Sequence, residues 1–348
     1  MAQRPHFSYR FLICVFFLLG FLGDSYSQAK KQLTFALPNN KISSSLYNQL
    51  RILDIRTDTA LGIVKTGLLD RKAIMVAKPS FTTQLNNIFY SLVDKSVPGK
   101  QEFTILLRNV SFAEGTGIGF FRMRAALYAK DDKGYQKITD IDSTKIISSG
   151  WIDIADSLIR FSNRAVTDFI ANNLTKTAST AVNYTYNELI HIDSAEKSKL
   201  PVYAGTNYVD GLYLNYKSFA QQKPDGEINA ENNAIQNNEV TTPDPKTGKP
   251  KKVKSGSVYA LVSKGQLYAA SKFGYYPIEK VNGELVFTGK LVIVNSPSVA
   301  ASVAFSLVGT IISGANTSGT FEVQIDHTDG SLIKLKEIVE PHWKEIDY

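Results

Sequence analysis

Cysteine is almost absent from this chain of 348 residues. Its single cysteine, Cys14, lies inside an apolar run near the N-terminus. The rest of the chain therefore has no thiol that could form a disulfide, bind a metal as a thiolate or act as a nucleophile. The folded domains must be stabilised by burial of apolar side chains, and a hydrophobic content of 43% is sufficient for that.

Sequence motifs for catalysis and metal binding are also missing. His191, His327 and His342 are not spaced as metal ligands, and neither an HExxH nor a GxSxG motif occurs. Asp140 and Asp142 are two residues apart on a predicted strand, about 7 Å, a separation that suits both a catalytic carboxylate pair and an exposed charged strand face. We therefore predict no catalytic residue, no metal site and no cofactor, and a protein that is not an enzyme.

The N-terminus has the pattern of a secretory signal peptide over residues 1–27. Two arginines precede an apolar run at 11–23, which is too short to span a bilayer as a stable helix. Small residues at positions 25 and 27 then predict cleavage between Ser27 and Gln28. The pattern predicts an exported protein.

The charge of the chain is mildly positive. It is +7 in total, and +6 without residues 1–27, which contain two arginines and one aspartate. Five lysines cluster between positions 246 and 254, inside a polar stretch at 221–256 that is rich in Asn, Lys, Pro and Gly. This composition predicts a long, exposed, mobile loop rather than an anion-binding surface. We expect no nucleic-acid partner.

Residues 28–176 have the pattern of an α+β domain, an N-terminal antiparallel sheet with two helices. An apolar stripe over 81–93 predicts a helix with Ser80 as its N-cap. Alternating apolar residues predict three strands within 102–147, and a second apolar stripe predicts a helix that begins at Asp153 or Asp156. Two helices on one face of such a sheet would bury both stripes.

The second half of the chain is predicted to be a β-rich C-terminal domain at 208–348, joined to the first by a polar connector at 177–207. It contains three turn signals between strand-like runs, each of which predicts a hairpin. They are Lys264-Gly265, Asn282-Gly283 and Asp329-Gly330.

One apolar segment in this domain, residues 297–315, has no charged residue. Its length is compatible with a membrane helix, and small residues recur four positions apart, a spacing that lets helices approach closely. A helix buried against the sheet fits equally, and a pair of strands is the third interpretation. The domain is thus predicted to include one apolar helical segment. Its candidate membrane or partner contacts are Val299, Val303, Phe305, Leu307, Val308, Ile311 and Ile312.

A short motif in the second half resembles secreted proteins of Bacteroidota that have no assigned role. The family pattern is G-[IV]-Y-L-[ST]-[FY]-x-x-F-x-x-x-K-P, and the chain departs from it at Asn215. The matching residues are Gly211, Tyr213, Leu214, Tyr216, Phe219, Lys223 and Pro224. The resemblance implies a Gram-negative host and a periplasmic or envelope-associated location, and it brings no catalytic residue. By its order of elements, the first half is similar to transport-auxiliary and lipopolysaccharide-assembly lipoproteins, which is an analogy of fold only.

These features together predict a non-catalytic periplasmic or envelope-associated protein that binds a partner or assists an assembly. Its partner would be an envelope protein, a second copy of the chain or, through 297–315, a membrane. Two alternatives remain. A secreted hydrolase would need a pocket with two carboxylates. A binder of glycans or small ligands would need exposed aromatic rings, for which Tyr275 and Tyr276 are the candidates.

Overall fold

The computed structural model describes residues 29–56, 61–67, 71–94, 101–114, 118–148, 153–229, 232–244, 246–292 and 318–338. Within these ranges the chain is mostly β, with two large sheets and seven helices. None of these helices combines the length and the apolar character needed to cross a bilayer. The predicted signal peptide, its cleavage site at Ser27 and Gln28, and the apolar segment 297–315 lie outside the described residues.

The first sheet contains eight strands. They are β1 (Ala29–Leu33), β2 (Tyr47–Asp54), β3 (Gly62–Thr66), β4 (Arg71–Ala77), β5 (Gln101–Glu114), β6 (Ile118–Asp131), β7 (Gly134–Ser148) and β8 (Asn183–Tyr184). Their spatial order is β1-β4-β3-β5-β6-β7-β8, and β2 pairs with the first half of β5. The long strands β5, β6 and β7 are antiparallel and form the centre of the sheet.

The predicted N-terminal antiparallel sheet is wrong, because this sheet is mixed. β1 pairs in parallel with β4, and both β2 and β3 pair in parallel with β5. The sequence between β2 and β5 forms the hairpin β3–β4 and then a helix. Parallel neighbours need a long crossover connection, and this segment provides one.

Two helices cover one face of the first sheet: α1 (Phe81–Leu92) and α2 (Ile154–Ala171). Both predicted N-termini are confirmed, since the side chain of Ser80 accepts from the backbone N–H of Thr83 at 3.1 Å and that of Asp153 caps α2. The helices lie directly on the sheet. A Cβ at Gly119 of β6 would collide with side chains of α2, so this glycine permits the close approach.

The connector adds three short helices: α3 (Tyr186–Ile190), α4 (Ile192–Lys197) and α5 (Pro201–Ala204). The first two lie over the other face of the first sheet, where Leu189 is fully buried in a small cluster with Leu106 and Tyr128. The central strands of this sheet are therefore covered on both faces.

The second sheet is entirely antiparallel and has the order β17-β16-β15-β14-β13-β12-β9. Its strands are β9 (Gly211–Tyr213), β12 (Ala260–Ser263), β13 (Gln266–Ser271), β14 (Gly274–Val281), β15 (Glu284–Val292), β16 (Ser318–Ile325) and β17 (Leu332–Ile338). All three predicted hairpin turns are confirmed, because they join β12 to β13, β14 to β15 and β16 to β17. The short helix α6 (Tyr216–Ala220) follows β9.

The polar stretch 221–256 contains secondary structure of its own. Helix α7 (Asn232–Gln236) is followed by a small hairpin of β10 (Thr241–Pro243) and β11 (Pro250–Lys252). Its few apolar residues are buried against the second sheet, in a cluster that includes Ile235, Val240 and Val253. A few buried apolar side chains therefore hold this segment in a defined structure, whereas its composition predicted a mobile loop.

Candidate functional site

An ionic network joins the two halves of the chain. Arg122 and Arg124 of β6 project from the face of the first sheet opposite α1 and α2, towards the turn between β16 and β17. Arg124 donates from Nη1 to Oδ1 of Asp326 at 3.1 Å and from Nε to Oδ2 of Asp142 at 2.8 Å. Arg122 lies 3.2 Å from Asp326 Oδ2 and donates to Oδ2 of Asp329 at 3.0 Å. Asp326 is only 4% exposed, so the network is part of the buried junction.

The carboxyl of Asp326 is ionised at any ordinary pH. Burial by itself raises its pKa, but the positive charges of Arg124 and Arg122 outweigh that effect and lower the pKa to about 2. A general acid or base must exchange a proton near the working pH. Asp326 is therefore an ionised partner of the two arginines, and the ring of its neighbour His327 contacts Glu196 through Nε2 at 3.2 Å.

A second cluster on the same face has the composition of a metal site. One ligand atom each from Asp193, Glu196 and His327 lies within 4.8 Å of the others. Arg108 of β5 occupies this cluster, donating from Nε to Asp193 Oδ1 at 2.7 Å and from Nη1 to Glu196 Oε1 at 3.1 Å. A cation would have to displace the guanidinium. Burial raises the pKa of Glu196, but its hydrogen bonds with His327 and Arg108 prevail and lower it to about 2.

Three tyrosines, of which Tyr203 and Tyr259 are buried and Tyr216 is partly buried, bind the turn between β16 and β17 from the side of the second sheet. The hydroxyl of Tyr203 donates to the carbonyl of Ile325 at 3.0 Å, and that of Tyr216 donates to the carbonyl of His327 at 2.6 Å. Tyr259 donates to the carbonyl of Gly330 at 2.9 Å. Burial raises the pKa of all three tyrosines well above its usual value, so the hydroxyls stay protonated donors. Arginine and tyrosine side chains thus contact one turn from two sides. We call these five residues the turn clamp: Arg122, Arg124, Tyr203, Tyr216 and Tyr259.

The residues that suggested the two alternative functions have structural roles. Asp142 is bound by Arg124, and Asp140 pairs with Lys137 at 2.6 Å. Tyr275 is 8% exposed, whereas the ring of Tyr276 stacks on Phe287 with centroids 6.3 Å apart. Neighbouring residues of a strand face opposite sides, so the two tyrosine rings form no shared platform.

The motif that carries the resemblance to Bacteroidota proteins is also structural. Gly211 has a φ of +149°, and a Cβ there would meet Pro224 and Gly226 closer than 3.0 Å. Tyr213 and Phe219 are fully buried and pack edge to face. The motif therefore folds a compact corner of the second sheet.

A groove lies between α2 and β7. It has a volume of about 430 Å³, within the range of ligand sites. Its floor is apolar, and no local motif predicted it, because it forms only where side chains of β6, β7 and α2 meet in the fold. The floor consists of Phe121, Met123, Ile141, Phe161, Ala165 and Phe169.

Polar and charged residues form the rest of the lining: Thr139, Asp140, Ser143, Lys145, Asp168, Asn172, Asn173 and Lys176. Of its two carboxylates, that of Asp140 is paired with Lys137. At one end the ammonium of Lys145 sits 5.3 Å from the centroid of the Phe161 ring. At the other end lies Asn173, which is 5% exposed and donates from Nδ2 to the carbonyl of Phe169 at 2.7 Å. Its buried Oδ1 has no hydrogen-bond partner within the described ranges. An unsatisfied buried acceptor costs about 1–3 kcal/mol, a cost that a bound donor would remove.

A second cavity, of about 560 Å³, lies beside the β10–β11 hairpin. Apolar side chains such as Leu212 and Val258 share its walls with lysines 251, 252 and 254. It is lined by two acidic residues, Asp225 and Glu227. Asp225 is already engaged, because its Oδ2 accepts from the backbone of Leu214 at 2.7 Å and from the hydroxyl of Ser218 at 2.6 Å. It offers no unsatisfied buried group to a ligand among the described residues.

Comparison with known proteins identifies no family. No family model matches the sequence, and no curated protein matches it. The crystal structure of an uncharacterised protein aligns over 38% of this chain and 97% of its own, with 13% identity and a TM-score of 0.23. A Xanthomonas campestris protein of the family DUF330 aligns over 41% of this chain and 93% of its own, with 13% identity and a TM-score of 0.28. These scores support no statement about fold or function.

Proposed function

We propose that this chain is an exported, non-catalytic binding protein of a Gram-negative envelope, and that the groove between α2 and β7 is its binding site. The observation that carries the proposal is the groove itself. An apolar floor is flanked by one buried, unpartnered acceptor, Asn173 Oδ1, and by the ammonium of Lys145. An apolar cavity with a few convergent polar groups is the usual form of a binding site. The signal-like N-terminus supports export.

The test uses the fluorescent apolar anion 1-anilinonaphthalene-8-sulfonate as a probe of the groove. Ala165 lies on the floor, and Ala165→Trp would fill the space above it. Arg164→Trp, an exposed position on the same helix, adds the same ring outside the groove and is the matched control.

We expect the wild type and Arg164→Trp to bind the probe alike, and Ala165→Trp to bind it at least about tenfold more weakly, which corresponds to about 1.4 kcal/mol. Thermal unfolding of both variants would show that they are folded. Equal binding by all three proteins, or no binding by the wild type, would reject the groove as the binding site.

A further inference from the structure

Among the described residues, one edge of the first sheet is open beside the groove. β7 pairs with β6 over its whole length, from Gly134 to Ser148. On its other side β8 pairs only with Tyr135 and Gln136, and Ser179 donates to the carbonyl of Lys137 at 2.8 Å. Beyond that point, no strand in the described parts of the chain pairs with β7. Alternate residues of an edge strand direct their N–H and C=O groups outwards, where they can pair with another chain.

The open edge and the groove adjoin each other. Thr139, Ile141, Ser143 and Lys145 alternate along β7 and all line the groove, which therefore runs beside the strand for about 20 Å at the usual rise per residue. A strand added to this edge would direct every second side chain into the space between β7 and α2. Backbone pairing gives such complexes their affinity, and the pockets for alternate side chains give specificity.

The charged side chains and the bulge of β7, which would usually protect an edge strand from pairing, either bind other residues or lie outside the unpaired stretch. Native proteins guard open edges with charges and bulges. The irregularity in β7 lies at the β8 end, opposite Leu127 and Tyr128. Asp140 is paired with Lys137, and Asp142 is held by Arg124. Lys145 lies over the ring of Phe161, and no strand of the described residues pairs with the outer edge of the stretch from Ile141 to Ser148.

We propose that the outer edge of β7 binds an extended polypeptide of a partner protein by strand addition, with apolar side chains at alternate positions in the groove. The inference rests on the proposed function, since it takes the same groove as the binding site and names its occupant. An extended backbone fits the observations better than an amphiphile does, because it pairs with the open N–H and C=O groups. Its backbone N–H groups also supply the hydrogen-bond donor that Asn173 Oδ1 lacks among the described residues.

The near absence of cysteine allows a sharp test by tethering. Ser148 is exposed at the end of β7. The variant Ser148→Cys, combined with Cys14→Ser, has a single thiol at that position. A peptide of about seven alternating Thr and Val residues, a usual strand length, is attached through a short Gly-Ser linker and a disulfide. The tether gives an effective concentration of about 1 mM, so weak pairing is also detected. A peptide of equal length with proline at alternate positions is the control.

Amide hydrogen exchange along β7 is the readout. We expect alternate amides between Thr139 and Ile147 to exchange at least about tenfold more slowly with the Thr-Val peptide than with the proline control. Unchanged exchange would overturn the inference. If the anilinonaphthalene probe still binds and Ala165→Trp still blocks it, the proposed function stands and only strand addition fails. Displacement of that probe by lauric acid, without protection by the peptide, would identify an amphiphile as the occupant.

Discussion

Gly330 occupies a position where a side chain has no space. Its φ is +76°, and an added Cβ would lie less than 3.0 Å from three atoms of Tyr216 in the turn clamp. Gly265 is the matched comparison, because it has a φ of +74° in the turn between β12 and β13 and nothing within 4 Å of an added Cβ. Substitution of Gly265 therefore measures the cost of backbone strain alone, whereas substitution of Gly330 adds the cost of a steric collision.

Substitution of these two glycines should therefore have unequal effects. Gly265→Ala should lower the free energy of unfolding by about 1 kcal/mol, from the left-handed backbone alone. Gly330→Ala should cost about 2 kcal/mol more, because Tyr216 must move and its hydrogen bond to the turn is disturbed. Urea denaturation of both variants measures the difference. Equal costs would mean that Tyr216 yields without penalty.

At the scale of single residues, the sequence predicted the β16–β17 turn but not the residues that contact it. Asp329-Gly330 is a local signal, and it correctly placed a hairpin. The partners of the turn are remote in sequence, since Tyr216 lies 111 positions from His327 and Arg124 lies 202 positions from Asp326. A single sequence contains no signal for such pairs. The turn clamp, and with it the structural role of these charged residues, could not be predicted.

Helix α1 gives a prediction at the scale of the element. The hydroxyl of Ser80 satisfies one of the free N–H groups at its N-terminus. Ser80→Ala should therefore lower the free energy of unfolding by about 1 kcal/mol, whereas Ser80→Asn, which keeps an acceptor, should cost only a few tenths. Chemical denaturation of the two variants tests this. Equal loss in both would show that α1 depends on packing and not on its cap.

Elements defined by local patterns were predictable, and their pairing was not. The apolar stripes and caps of α1 and α2 are encoded within each helix, as are the three hairpins of the second sheet. The parallel pairing of β2 with β5 depends on where the crossover through α1 returns the chain. The groove depends on α2 lying beside an open edge of β7, which neither element encodes alone.

For the whole molecule, the turn clamp predicts a dependence of stability on acid. The pKa of Asp326 is about 2 in the folded chain, below the usual 3.8, so its ionisation stabilises the fold above about pH 4 and this contribution is lost as the pH falls towards 2. The shift corresponds to on the order of 2 kcal/mol.

Asp326→Asn should therefore lower the free energy of unfolding at pH 7 by on the order of 2 kcal/mol or more, because it also leaves Arg124 without its full buried partner. It should also make stability fall less steeply between about pH 4 and pH 2. Asp140→Asn, which alters an exposed pair, is the control. Denaturation at several pH values measures both effects, and an unchanged acid slope would contradict the assignment.

The wide separation of Arg124 and Asp326 has a consequence for the order in which the chain is made. A domain generally folds as soon as its own sequence has emerged, and the first sheet is complete long before β16 is synthesised. Until then Arg122 and Arg124 have Asp142 beside them but not Asp326 of the β16–β17 turn. A premature stop before Asp326 therefore leaves Arg122 and Arg124 opposite the single carboxylate of Asp142, so an unfinished chain differs from a finished one in its charge at this site.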